Sequence, residues 1–141
     1  MSESIQFSFD LPVSPERVYR AWFDGYEFGK ITGGTAQIDP RVGGAYSYRD
    51  GFIQGRIQVM TPFSHIVQTW RAGDFPPGSP DSEVDIKLEP TCLGAMLTLT
   101  QTGVPTGQSS RYLQDWVEAC FRPMLRYFEA SVAGMPADMD G

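Results

Sequence analysis

The sequence predicts an α+β fold, and three features carry that reading: strand-like alternation through most of the chain, a switch to helical spacing beyond Gly107, and a composition suited to one core. We expect a curved antiparallel sheet of about six or seven strands packed on a long C-terminal helix, with short helices after the first strand. Residues 1–133 are expected to form a single domain, with a disordered tail over 134–141. A chain of 141 residues can bury one sizeable core without disulfides or a structural metal.

Ile5, Phe7, Phe9 and Leu11 alternate with Gln6, Ser8 and Asp10, the period of a half-buried strand. Ser14 then offers an N-cap, Pro15 takes the first helical position and Glu16 lies beside the positive end of the dipole. A short helix to about residue 24 follows, burying Val18, Ala21 and Trp22. Over 25–42 the glycines and Pro40 break any period, and only Thr35 to Asp39 has strand character.

Tyr46 and Tyr48 share one face of the next strand, which turns at Arg49-Asp50-Gly51 into a strand carrying Ile53, Gly55, Ile57 and Val59. After the turn at Thr61 to Ser64, His65 to Arg71 forms another strand. Asp74 to Pro80 holds three prolines and reads as an irregular surface loop. Val84, Ile86 and Leu88 alternate with charged residues, and Ala95, Leu97 and Leu99 with Met96, Thr98 and Thr100, giving two clean strands. On the final helix Leu113, Trp116, Val117, Cys120, Phe121, Met124, Tyr127 and Phe128 form one stripe, which Pro123 is expected to kink or briefly break.

Eleven basic against 17 acidic residues give a net charge of −6, a poor match to a phosphate backbone, so nucleic acid is an unfavoured partner. Met1-Ser2-Glu3-Ser4 has no basic segment leading into an apolar run, and no stretch is long enough to span a bilayer. Without any Asn there is no N-glycosylation acceptor. We therefore expect a soluble cytoplasmic protein with no membrane partner, and Cys92 and Cys120 as reduced small hydrophobes within apolar segments. A single helix, ~10 to 12 Å across, is narrower than a seven-stranded sheet, so the sheet curls around it and a cavity between the two is a natural result.

The string Asp39-Pro40-Arg41-Val42-Gly43-Gly44, then Gly55, then His65-Ile66-Val67-Gln68-Thr69-Trp70-Arg71, with Gly103-Val104-Pro105 and Trp116 later, resembles the C-terminal-type domain of activators of heat-shock protein 90 ATPase. That family belongs to the START-like (SRPBCC) helix-grip superfamily, and the resemblance runs from about Phe9 to Phe128. It implies a helix-grip fold, on which relatives bind lipids or hydrophobic metabolites, act on polyketides or assist a chaperone.

Aromatic walls with a few polar tips make hydrophobic-ligand pockets, and the candidate cavity lining is Tyr46, Tyr48, Ile57, Trp70, Leu97, Tyr112, Trp116 and Phe121. Gln68 is a possible polar anchor, whereas strand parity turns Arg56 outward. His65 is the only histidine, so no histidine cluster can hold a metal, and we read it as structural or exposed. Asp81, Glu83 and Asp85 read as a solvated outer face, and Gly43-Gly44 as a tight turn or bulge instead of a phosphate loop. No catalytic residue, metal or cofactor is assigned.

The leading expectation is a non-catalytic binding domain holding a small apolar or amphipathic ligand. A protein-interaction role, with a chaperone or as a homodimer, comes second, and a polyketide-cyclase-type enzyme third. The enzyme reading needs an inward acid or base, for which Asp10, Asp39 and Glu118 are the residues to check.

Overall fold

Apolar residues at every second position can bury one face only if neighbouring strands keep register, and the computed structural model, described over residues 2–133, shows seven strands that do so. They are β1 (Ser2–Leu11), β2 (Gln37–Ile38), β3 (Ala45–Tyr48), β4 (Ile53–Thr61), β5 (His65–Ala72), β6 (Ser82–Thr91) and β7 (Gly94–Pro105). All pairings are antiparallel in the order β1-β7-β6-β5-β4-β3-β2, a meander with β1 laid along its far edge. The expected tail, 134–141, lies outside the described residues.

α1 (Pro15–Trp22) starts as read, with the Ser14 hydroxyl accepting from Arg17 N at 3.2 Å. The segment over 25–42 is more ordered than its glycines suggested, because it contains α2 (Gly25–Thr32). Asp24 caps that helix by accepting from Glu27 N at 3.0 Å, and Gly33, with φ of 83°, ends it.

Two glycines of the family-like strings are required by close backbone contact. A Cβ on Gly44 would lie 2.1 Å from Asp39 O in the β2–β3 turn. One on Gly55 would lie 2.0 Å from Thr69 O and 2.6 Å from the Tyr46 ring. The bare backbone of Gly55 lets Tyr46, its cross-strand partner, reach over β4 and donate to Thr69 O on β5.

The C-terminal helix is α3 (Ser109–Asp115), a π turn (Trp116–Phe121) and α4 (Arg122–Val132). The interruption expected at Pro123 takes the form of this wider turn just upstream, where Arg122 N bonds Val117 O. Pro123 itself sits in the first turn of α4, where a missing N–H is tolerated. The extra residue also corrects the apolar stripe. Tyr112 and Trp116 are buried, while Leu113 is exposed and Val117 half-buried. Cys92 is corrected too: it lies exposed in the β6–β7 turn, whereas Cys120 is buried.

Helices α1, α2 and α4 are clamped by one carboxylate. Glu27 accepts from both terminal nitrogens of Arg17, one at 2.9 Å, and from the Tyr127 hydroxyl at 2.6 Å, while Arg17 lies 5.2 Å from the Phe128 ring centroid. The Arg17 hydrogen bonds hold the Glu27 carboxyl below its ordinary value of 4.5. A depressed folded value gives stability that is present above the unfolded value and lost as pH falls through the folded one. We therefore expect the stability gap between wild type and Glu27→Gln to be largest near neutrality and to shrink below about pH 4.5. Urea melts across acid pH measure it, and a pH-independent gap would refute the assignment.

Candidate functional site

Alternation points the even-numbered residues of β5 inward, and two of them are the unusual ones: Gln68 and Trp70. Gln68 is buried between two aromatic partners, accepting from Trp22 Nε1 at 3.3 Å and donating to the Tyr48 hydroxyl at 3.2 Å. An indole nitrogen only donates, so the amide carbonyl faces Trp22 and the amide nitrogen faces Tyr48. The Tyr48 oxygen is thus an acceptor, and its own proton has no acceptor among the described hydrogen bonds.

A second buried glutamine repeats the device on β7. Gln101 accepts from Trp116 Nε1 at 2.8 Å and donates to Ser82 Oγ at 2.9 Å, which donates to Trp70 O at 2.7 Å. The third indole is different. Trp70 Nε1–H is buried with no hydrogen-bond partner among the described residues.

Trp70 stands in the wall of a cleft between α2, the β3–β4 turn and the C-terminal helix. Tyr48, Tyr112, Trp116 and Phe28 supply its other aromatic walls, and Cys120 and Ala119 come from the π turn. The cleft volume is about 30 Å³, on the order of the space of one water molecule. Thr32, Arg49, Phe52 and Asp115, each half-exposed or exposed, form the rim. Arg49 Nη1 lies 3.6 Å from Asp115 Oδ2 across it.

Burial pushes the Tyr48 hydroxyl and the Cys120 thiol upward, so both remain neutral near pH 7 and neither supplies a nucleophile. Tyr112 is pushed up to about 12, by burial first and by its hydrogen bond to Asp74 second. That bond, with Arg111 on the same carboxylate, ties the proline-rich loop to α3. Phe75 is buried within the loop, 5.9 Å from Trp70 between ring centroids. The loop is irregular and mostly exposed, as its prolines predict, and its buried Phe75 closes one end of the aromatic cluster.

Four of the eight sequence-predicted lining residues, Tyr48, Trp70, Tyr112 and Trp116, border the cleft. Ile57, Leu97 and Phe121 are fully buried away from it, and Tyr46 is turned toward Thr69 O. Phe28 of the wall and the rim residues escaped sequence reasoning. Phe28 and Thr32 needed α2, which the pair Asp24-x-x-Glu27 signals. Arg49 and Phe52 sit in a turn whose residues have no period to read.

His65 pairs with Asp85 at 3.0 Å outside the cleft. Asp10 is exposed, Asp39 binds Arg41 at 2.7 Å, and Glu118 pairs with Arg122 at 3.1 Å, so none of the three lines the cleft. Among the described residues no three His, Cys, Asp or Glu side chains gather as a metal site, and no helix is long and apolar enough to cross a membrane.

A curved antiparallel sheet gripping a long C-terminal helix is the helix-grip fold. The family profile described as "Activator of Hsp90 ATPase homolog 1-like protein" matches residues 12–131, and the chain belongs to that family. It is 26% identical to an activator of 90 kDa heat shock protein ATPase homolog from Dictyostelium discoideum, over 82% of this chain and 30% of that protein. It is also 26% identical to an uncharacterized protein of Schizosaccharomyces pombe, over 89% of this chain and 36% of that protein. The chain spans about a third of the length of these curated relatives.

Among solved structures it is similar to an HSP90 activator from Plasmodium falciparum, with a TM-score of 0.72 at 23% identity, covering 96% of this chain and 98% of that one. A protein from Chromobacterium violaceum gives a TM-score of 0.74 at 26% identity, covering 89% and 97%.

The buried glutamines make a direct prediction. Gln68→Met keeps the volume but leaves Trp22 Nε1–H without its acceptor, so we expect a loss of about 1–3 kcal/mol. Gln6→Met on the exposed face of β1 is expected to stay within about 0.5 kcal/mol. Urea unfolding with unchanged m values compares the two.

Proposed function

We propose that residues 1–133 act as one non-catalytic binding domain, which takes the apolar part of a small amphipathic molecule into the cleft under the C-terminal helix. The observation that carries this reading is the Trp70 indole N–H, buried in an aromatic wall without a partner among the described residues. Such a group costs stability unless something accepts from it. Tyr48, Trp70, Tyr112 and Trp116 would contact the ligand, with Ile57, Leu97, Phe121 and Tyr46 packed behind them as support. The cleft measures about 30 Å³, so binding would require the rim turn and the helix to move apart and enlarge it. Cytoplasmic residence belongs to this reading.

Thermal shift and native mass spectrometry of the whole chain, against a panel of aromatic and fatty-acyl compounds, test it. At least one compound is expected to raise Tm and appear as a bound mass, because a ligand that binds only the folded state stabilises it. Ala119→Leu, which fills the cleft from the π turn, is expected to abolish the shift. No shift and no adduct across the panel would reject the proposal.

Family membership favours a second reading, a protein-interaction role with a 90 kDa heat-shock protein or with a second copy of the chain. A structure described as an Aha1 dimer from Colwellia psychrerythraea shares the fold at 17% identity, with a TM-score of 0.72 over 91% of this chain and 95% of that one. A raised chaperone ATPase rate on adding the chain supports the activator version, and an unchanged rate at saturation rejects it.

A further inference from the structure

The β3–β4 turn holds its residues in a conformation that L side chains rarely adopt. Arg49 and Asp50 have φ of 50° and 59°, followed by Gly51 at 95°. Two successive non-glycine residues in the left-handed region are disfavoured and persist only where surrounding contacts fix them. Those contacts come from the segment after α2: Asp50 Oδ1 accepts from Thr35 N at 2.9 Å, and Asp50 N donates to Thr35 O at 3.1 Å. The turn thereby presents the Arg49 side chain to the C-terminal helix at the rim of the cleft.

That guanidinium is largely uncommitted. Its one ionic neighbour among the described residues, Asp115, lies at 3.6 Å, beyond hydrogen-bonding distance, and both side chains are about a third or more exposed. A pair of this kind is weak. By contrast Arg17, Arg41 and Arg111 each hold a carboxylate by direct hydrogen bonds. Among the residues that line the cleft, the free hydrogen-bonding capacity is mostly that of donors: Trp70 Nε1–H, the Tyr48 hydroxyl proton and the five guanidinium N–H groups of Arg49. Thr32 has given its hydroxyl proton to Phe28 O, and Asp115 is the one anion in the lining. A ligand with an aromatic body and an anionic acceptor head matches the Arg49 donors at the rim, and a planar carboxylate can take two guanidinium N–H groups at once.

We propose that Arg49 is a specificity-determining residue that exchanges its loose contact with Asp115 for the carboxylate of an aromatic acid whose ring enters the cleft. The proposal rests on the binding reading above and adds the chemical class of the ligand. Asp115 acts as the stand-in anion that keeps Arg49 at the rim when the ligand is absent.

The test is calorimetric titration of the whole chain with 2-naphthoate and with its neutral isostere, 2-naphthamide. Wild type is expected to prefer the acid by about tenfold or more, the usual scale for a hydrogen bond to a charged group. In Arg49→Gln the acid-to-amide ratio is expected to fall to about one. Asp115→Asn removes the competing anion and is expected to raise the ratio severalfold, a gain that misfolding cannot produce.

Equal binding of acid and amide to wild type would overturn the proposal while leaving the binding reading intact. So would an acid preference that survives Arg49→Gln in a variant with wild-type circular dichroism. Failure of both compounds to bind would overturn the two together.

Discussion

The structure depends on how one helix fills a sheet wider than itself, and it does so with stacked aromatic rings. Trp116 and Phe121 lie 5.8 Å apart between centroids, and each stacks on Trp22 of α1, at 6.3 and 6.2 Å. At 100° per residue two positions five apart in an α-helix point about 140° away from each other. The π turn, with its i→i+5 pattern, removes most of that divergence and puts both rings on the sheet side. Phe121 then reaches Phe7 and Phe9 of β1, and Trp116 reaches Trp70 of β5, so one irregular turn spans the sheet from its β1 edge to β5.

Packing three indoles into one core creates a polar problem, since each carries a donor and no acceptor. Gln68 and Gln101 solve it for Trp22 and Trp116 from positions on β5 and β7 that flank Val84 of β6, and in doing so they fix their own amide orientations. This arrangement makes the interior directional. Both amide nitrogens point onward, one to Tyr48 and one to Ser82, so the Tyr48 proton is left without an acceptor among the described hydrogen bonds. Trp70 has no glutamine of its own. The donor character of the cleft is therefore a consequence of how the core is satisfied elsewhere.

Much of this was legible in the sequence, and where it was not the reason is local. Period two in β1, β6 and β7 was readable because those strands bury one face and keep long register. The ranges of β3 to β5 followed from the same signal. α2 was obscured because Gly25 and Gly29 lower helix propensity, while the Asp24 cap and the Glu27 clamp, both tertiary or capping effects, restore it. The stripe on the final helix was shifted for a single reason. Counting back from Phe128 at α spacing gives Phe121, Val117 and Leu113, whereas one extra residue in the π turn moves the buried positions to Trp116 and Tyr112. Pro123 signalled an irregularity, yet proline chemistry alone does not reveal that the ladder widens instead of bending.

Local preference and fold agree over most of this chain, and the disagreements are not scattered. The left-handed Arg49-Asp50 pair, the π turn and the unpartnered Trp70 N–H all border one cleft. Each is unfavourable on its own. Departures of this kind persist when the surroundings over-determine them, and they concentrate where a protein binds. The cleft also joins the parts of the fold that belong to different segments, α2, the β3–β4 turn, β5 and the C-terminal helix, so its shape responds to how the helix sits on the sheet. A molecule that accepts from Trp70 and Tyr48 would replace missing hydrogen bonds and bridge all four segments. Occupancy of the cleft would thereby be coupled to the position of the helix through contacts already present in the core.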